Sequence, residues 1–251
     1  MLPAATERIL ALPDDALILD VGAWGAPFNR ADWVLDVAPY ETRGPMGHYG
    51  PDEERFTHDT WVIRDICDRE PWPFEDDFFD FSICVTTLED IRDPIWVSHE
   101  LSRVSKAGYV EVPTVIAELI YNVMGDGPWL GHQHHRWFCD VDARRQDVTF
   151  WHKSHAIHPD WRLRVTLRMA ARMTLDDHLQ GMFWEGSFTA GERIVLEYDP
   201  EELRRRVREH FHVSDTELRL KAARDRVRHL GALAKRPARR LVERGLDRLR
   251  G

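Results

Sequence analysis

The sequence predicts a doubly wound α/β fold, a mostly parallel sheet with an antiparallel extension at one edge and a basic helical C-terminal tail. Three observations carry this expectation. Short apolar runs alternate with helical or loop stretches over the first 115 residues, as βαβ units require. The first three runs end in, or lead to, Asp20, Asp36 and Asp65. Carboxylates therefore collect at the strand ends, where an open parallel sheet binds ligands. After Pro113 the runs become longer and alternate between apolar and polar, which suits an antiparallel extension.

Each element has a local reason. Residues 16–21, Ala-Leu-Ile-Leu-Asp-Val, read as a buried strand entering a loop, with a short helix over 2–12 before it. Residues 33–37 are a second strand. Residues 40–58 are rich in Gly, Pro, His and charge and read as a long loop, a length usually tied to function. Residues 60–65 and 79–85 are the third and fourth strands. Ile95, Val97, Leu101 and Val104 recur at helical spacing. Residues 108–113 form a fifth strand that Pro113 stops. Residues 147–153 and 192–198 are expected to supply the antiparallel extension. Residues 201–210 read as a helix, and 221–250 as a basic helical stretch interrupted by Pro237. The organisation expected is one domain over 1–200 and a basic helical extension over 201–251.

Composition narrows the class. Hydrophobic residues make up 43% and charged residues 31%, a globular balance. The three cysteines form no CxxC pair, which argues for a reducing compartment and against a disulfide framework. No basic-then-apolar leader opens the sequence, and no apolar run nears the roughly 18 residues of a membrane span, so a cytoplasmic protein is expected. The net charge of −9 is uneven. Residues 201–251 carry 16 Lys and Arg against 8 Asp and Glu, a local +8 that leaves the body at −17. An acidic body disfavours nucleic acid, because phosphate neutralisation needs a cationic face.

The cofactor loop is the most informative stretch. Asp20 with Gly22 and Gly25 makes a tight turn that lets backbone approach a ligand. Asp36 lies about one βαβ step further on, where a carboxylate accepts hydrogen bonds from both hydroxyls of a ribose. Asp65 ends the next strand, placed to meet an adenine amino group. Any one of these aspartates is equally well an N-cap or a turn former. Three in register are much harder to explain that way.

The stretch Trp72-Pro-Phe-Glu-Asp-Asp-Phe-Phe-Asp-Phe-Ser-Ile-Cys-Val-Thr-Thr-Leu-Glu-Asp-Ile-Arg-Asp-Pro resembles the middle of the class I S-adenosylmethionine (SAM)-dependent methyltransferases of the type 11 group. That group carries PF-x-D-x-x-FD, a strand, LEH, then DP. The following His99-Glu-Leu-Ser-Arg-Val-Ser-Lys-Ala-Gly is similar to its E-L-x-R-V-x-K-x-G segment. The loop from Asp20 through Ala-Pro-Phe-Asn-Arg-Ala-Asp matches a variant with NPF-x-x-AD. The resemblance covers about residues 16–115, and more faintly His134-His-Arg-Trp. It implies a Rossmann-like sheet that binds SAM. By position, Asp20, Gly22 and Trp24 would lie at the methionine part and Asp36 would hold the ribose. Asp65 and Ile66 would flank the adenine, and Thr87 with Leu88 would close the site. The sequence departs from the pattern twice. Trp24 stands where a second glycine is usual, and its indole is expected to crowd the methionine end or open the loop. Asp90 stands where the family has histidine.

Methyl transfer from a sulfonium is a direct displacement, so alignment does most of the work. A base is needed only when the acceptor loses a proton, and histidine suits that role. His134 and His135, in Gly131-His-Gln-His-His-Arg-Trp, are the residues expected to serve, with Arg136 available for an anionic acceptor. His152, His155 and His158 follow nearby. A metal site is the sharper alternative, since imidazoles are common zinc ligands, but the spacing matches no established zinc pattern and no metal is assigned. A polar loop whose imidazoles satisfy backbone groups remains an equal reading. The expected function is methyl transfer to a small-molecule or glycan-type acceptor. The glycan reading rests on the tryptophans of the second half and on the tail. The alternative is a degenerate relative acting as a binding or scaffold protein in a biosynthetic complex, with Trp24 its main support. A nucleotide-dependent oxidoreductase ranks below both, because the full GxGxxG is missing. The tail is open between solvated helix, peripheral contact with an anionic membrane surface, and docking on a protein partner.

Overall fold

The computed structural model describes residues 1–125, 127–195 and 200–221, with 223, 224 and 227. Most of the expected basic tail over 221–250 therefore lies outside the described residues. So do residues 196–199 of the expected last strand.

Five strands run parallel: β1 (Ile18–Val21), β2 (Trp33–Asp36), β3 (Trp61–Ile63), β4 (Phe81–Val85) and β5 (Ala107–Pro113). With β8 (Leu179–Glu185) they form one sheet in the order β3-β2-β1-β4-β5-β8. β8 is antiparallel to β5, with Tyr109 opposite Phe183 and Val110 opposite Met182. The fold class predicted from the sequence, a mostly parallel α/β sheet with an antiparallel edge, is the one observed. The chain steps outward from β1 through β2 to β3 and then returns to place β4 on the other side of β1. The sheet's switch point therefore lies between β1 and β4, where open α/β sheets bind ligands.

Strand alternation sorts the core into two faces. Ile18, Val34, Phe81, Ile83 and Tyr109 pack with Ala5 and Ile9 of α1 (Pro3–Leu10) and with Phe28, Phe56 and Trp61. Leu19, Val21, Leu35, Cys84, Val110 and Val112 face the other way, against α2 (Pro94–Val104). α2 buries Val97, Leu101 and Val104, a stripe at helical spacing. Its start is fixed by Asp93, whose side chain accepts the Trp96 N–H, and by Pro94 in the first turn. The connections from β1 to β2, β2 to β3 and β3 to β4 contain no α-helix; the loop over 40–58 holds only short 3-10 turns at its ends. The loop expectation for 40–58 thus holds.

The antiparallel extension is built differently from expectation. Residues 147–153 do not join the main sheet. β6 (Trp137–Asp142), β7 (Asp147–His152) and β9 (Thr189–Glu192) form a second sheet in the order β6-β7-β9. The expected strand over 192–198 ends at Glu192, with Ile194 and Val195 exposed. The main-sheet edge is β8, whose Leu-Gln-Gly-Met-Phe-Trp-Glu gives only a weak alternation. The second sheet is a partition. Cys139, Val148 and Phe150 face the core beneath the main sheet, while Phe138 and Trp151 face a second core. That second core adds Leu119, Ile120, Leu130, Leu163 and Val165, with Met169 of the short helix α3 (Leu167–Ala170). After α4 (Leu175–His178), α5 (Pro200–Phe211) closes it with Leu203 and Val207. Arg206 of α5 pairs with Asp140 on β6 at 2.5 Å, which fixes the helix to the partition. Among the described residues no helix is long and apolar enough to cross a membrane.

Candidate functional site

The carboxyl ends of β1, β2 and β4 open onto a cavity of about 440 Å³, a size typical of small-molecule sites. Asp20 and Asp36 both project from the same face of the sheet, because each lies two residues beyond an inward-facing apolar residue, Ile18 and Val34. Asp20 is buried, and its Oδ2 accepts the Phe28 N–H at 2.8 Å. Burial pushes its carboxyl up to about 7; the Phe28 N–H opposes this and the neighbouring Asp36 adds to it. Asp36 is also buried. Its Oδ1 accepts the Ala38 N–H at 2.8 Å and its Oδ2 the Trp24 N–H at 2.9 Å. Burial raises its carboxyl too, against the backbone donors at Ala38, Trp24 and Val37. Each oxygen keeps a lone pair, so the carboxylate can still receive two hydroxyl donors.

The turn between these aspartates is dictated by sequence. Gly22 has φ +72°, and a Cβ there would lie 2.4 Å from Thr87 Cγ2. Only glycine satisfies both the left-handed backbone and that contact. Thr87 in turn donates its hydroxyl to the carbonyls of Gly22 (3.2 Å) and Val85 (3.1 Å), tying the loop after β4 to the loop after β1. Thr86, also on the cavity wall, has φ +47°. A β-branched residue in that region stores strain of about 1–3 kcal/mol, a feature concentrated at ligand sites.

Trp24 does not fill the cavity. Its Nε1 donates to the Thr42 carbonyl at 2.8 Å and lies 3.0 Å from the Thr42 hydroxyl, and the residue is 42% exposed. The indole thus borders the cavity while anchoring the 40–47 segment, and Gly44 and Met46 donate to the carbonyls of Trp24 and Gly25. The expected crowding is corrected: a tryptophan is accommodated here because the adjoining loop offers its indole an acceptor on the outer side.

Asp65 and Ile66 line the far end of the cavity. Asp65 accepts the Cys67 N–H at 2.9 Å and pairs with Arg92. Burial works against ionisation there, but Arg92 and the Cys67 N–H together hold the carboxyl below its usual range. Leu88, expected to close the site, instead points into the main core, fully buried, and does not line the cavity.

On the side nearest Asp90 and Ile91, the wall is His134. Behind it the structure assembles a buried polar cluster. His135 does not line the cavity; its Nδ1 lies 2.7 Å from Glu118 Oε1 and its Nε2 3.9 Å from Glu89 Oε1. Lys153 donates to Glu118 Oε2 and, at 2.9 Å, to the His132 carbonyl. Burial raises Glu118, but His135 and Lys153 outweigh it and hold the carboxyl below its usual range. Glu89 is fully buried, and both of its carboxylate oxygens lack a hydrogen-bond partner. Burial drives its pKa well above the ordinary value. Burial also lowers His132 and His134, with His135 adding to the effect. His158 stands apart. It accepts the Leu130 N–H through Nδ1, and burial lowers it to about 4.

Sequence reasoning thus located Asp20, Gly22, Trp24, Asp36, Asp65, Ile66, Thr87 and His134 around one cavity. It missed Glu118 and Lys153, which come from separate loops and carry no local signal. Glu89 sits inside the quoted Leu-Glu-Asp motif, and that position was the signal available.

No family model matches the chain, and no curated protein matches it. Solved structures similar to it include SAM-dependent methyltransferases. One from Thermotoga maritima is 18% identical, with a TM-score of 0.33 over 53% of this chain and 62% of that one. One from Mesorhizobium loti is 15% identical, at 0.32 over 59% and 62%. An arsenic(III) SAM methyltransferase from Chlamydomonas reinhardtii is 19% identical, at 0.29 over 39% of each chain. The chain thus spans less than two thirds of the length of these solved chains.

Proposed function

We propose that this chain is a class I SAM-dependent methyltransferase, of the type 11 group its motifs resemble, acting on a small-molecule or glycan-type acceptor. One observation carries the reading. Two buried carboxylates, Asp20 and Asp36, face one cavity from adjacent strand ends at the sheet's switch point. The residues fit the cofactor. Asp36 offers acceptors for the two ribose hydroxyls. Asp20 offers an anion for the cationic methionine end, which favours its ionised form. Ile66, Val85 and Ile91 supply apolar wall for a purine.

Bound SAM supplies a methyl group on a positively charged sulfur. The chain's own residues bind, orient and exclude water. Thr87 fixes the relative position of the two loops. The Trp24 and Met46 segment covers the outer side. The acceptor enters beside Asp90 and His134, so His134 is the catalytic residue of this reading. His135, turned toward Glu118, is a positioning residue. With its Nε1 bonded to Thr42, the indole of Trp24 borders the cavity without closing it, which favours this reading over the scaffold alternative. The tail remains a candidate surface for a membrane or a protein partner, on its charge alone.

Calorimetric titration with SAM and with S-adenosylhomocysteine tests the reading. One site per chain is expected. Asp36→Ala removes two ribose acceptors and weakens both ligands by about 100-fold, the equivalent of about 3 kcal/mol. Unchanged affinity in that variant would remove the site assignment.

A further inference from the structure

We propose that His132, His134 and His135 form a binding site for one zinc ion, with Glu118 and Glu89 as its supporting carboxylates. One ligand nitrogen from each imidazole lies within 4.8 Å of the others. Zinc bonds to imidazole are about 2.0–2.1 Å, so tetrahedral ligands sit about 3.4 Å apart. The trio must therefore contract by up to about 1.4 Å. His134 is exposed and His132 half-buried, so both have room to turn about their side-chain torsions.

Three further observations point to an ion. First, His135 is already oriented as a ligand. The Glu118 carboxylate can only accept, so at 2.7 Å it places a proton on Nδ1 and makes Nε2 the nitrogen that would face an ion. A carboxylate behind a ligating histidine is the usual supporting arrangement in zinc sites. Second, the loop is braced from behind. Lys153 donates to both Glu118 and the His132 carbonyl. Gly131 turns the chain with φ +59° so tightly that a Cβ would meet the Glu118 carbonyl at 2.6 Å and Lys153 Nζ at 2.8 Å. Third, buried polar atoms lack partners where an ion would sit. His132 Nδ1 has none, and neither does either oxygen of Glu89, whose Oε1 is 3.9 Å from His135 Nε2. Buried carboxyl groups without hydrogen-bond partners are rare, and this one faces the histidine trio.

Three histidines with a fourth position open are the pattern of zinc sites that bind a further ligand. His134 is the member of the trio on the cavity wall. The ion-binding claim stands without the methyltransferase reading. Only its consequence rests on that reading: the acceptor would carry an oxygen or sulfur able to ligate the ion.

The test uses untagged full-length protein, stripped with a chelator and titrated with zinc alone, with metal content counted per chain. One ion per chain is expected. His132→Ala and His134→Ala should each weaken zinc by at least about 100-fold, the equivalent of about 2.7 kcal/mol. Glu118→Gln should weaken it by about 10–100-fold. His152→Ala, outside the trio, should leave it unchanged. Circular dichroism separates loss of a ligand from loss of fold. Cobalt(II) substitution should give the visible spectrum of a tetrahedral nitrogen-rich site and lose it in folded His134→Ala. A wild-type chain that retains no zinc, or folded His132→Ala and His134→Ala variants that bind as well as wild type, would overturn the proposal. Neither readout involves SAM, so its failure is distinct from failure of the methyltransferase reading.

Discussion

The two sides of the cavity are built in different ways. The side at β1, β2 and β3 is a row of strand ends, each supplying an aspartate from a neighbouring strand in register, with Asp20 opposite Val34 and Asp36 opposite Ile63. The side at His134 has no such row. Its Glu118, His135 and Lys153 come from three separate segments between β5 and the 3-10 turn over 155–157. Strand ends hold a group by backbone geometry that any sequence with the fold must share. The histidine side holds its groups only by one another, so each depends on the rest. The first side should tolerate single changes structurally while losing ligand; the second should lose structure.

The largest expected effect breaks the second side. Glu118→Ala leaves the Lys153 ammonium buried without its carboxylate and frees His135. Breaking a buried pair from one end costs about 3–5 kcal/mol. The melting temperature should fall by about 10 °C, while SAM affinity stays within about threefold. A loss of SAM affinity equal to that of Asp36→Ala would mean that the two sides are one unit.

A middle effect concerns Asp20. A carboxyl raised to about 7 favours the neutral form in the folded chain. The sign follows. Its contribution to stability is fully present below the unfolded value near 4 and is lost as pH rises through about 7. Ionised in the native state, it costs about 4 kcal/mol. A cationic ligand repays part of this, so SAM should bind about tenfold more tightly at pH 7.5 than at pH 5.5. Asp20→Asn should flatten that dependence and raise the melting temperature at pH 8. A pH profile in Asp20→Asn identical to wild type would remove Asp20 from the cationic end.

The smallest effect is at Trp24. Trp24→Phe loses the hydrogen bond to Thr42 but keeps the ring, at a cost of about 1 kcal/mol or less. SAM affinity should change by less than threefold. Trp24→Gly should gain no affinity, because the indole borders the cavity with its Nε1 held by Thr42; a tenfold gain would restore the view that it obstructs the site.

This contrast also explains what could be read from the sequence. Asp20, Asp36 and Asp65 were legible because a parallel sheet converts linear spacing into a row of strand ends. The fold class followed from the same alternation. The partner sheet was not legible. β6 and β7 alternate like an edge hairpin, but both faces are buried between two cores, so the pattern did not say which sheet they join. β8 was missed because Gln180 and Gly181 interrupt its apolar residues where it pairs with Val112 and Glu111. Leu88 looked like a site residue by position, yet it faces the core. The Trp24 side chain depended on Thr42, 18 residues away, and no local pattern encodes that hydrogen bond.

The central claim is that two buried carboxylates at adjacent strand ends hold a sulfur nucleoside. Thermal unfolding with saturating SAM, S-adenosylhomocysteine or NADH, in wild type and in Asp36→Ala, tests it most directly. A ligand at about 100 times its dissociation constant stabilises by about 2.7 kcal/mol, a shift of roughly 5–10 °C for a chain of this size. The account predicts that shift with the two sulfur nucleosides only, and its loss in Asp36→Ala. No shift with either in wild type, or an equal shift with NADH, would contradict it.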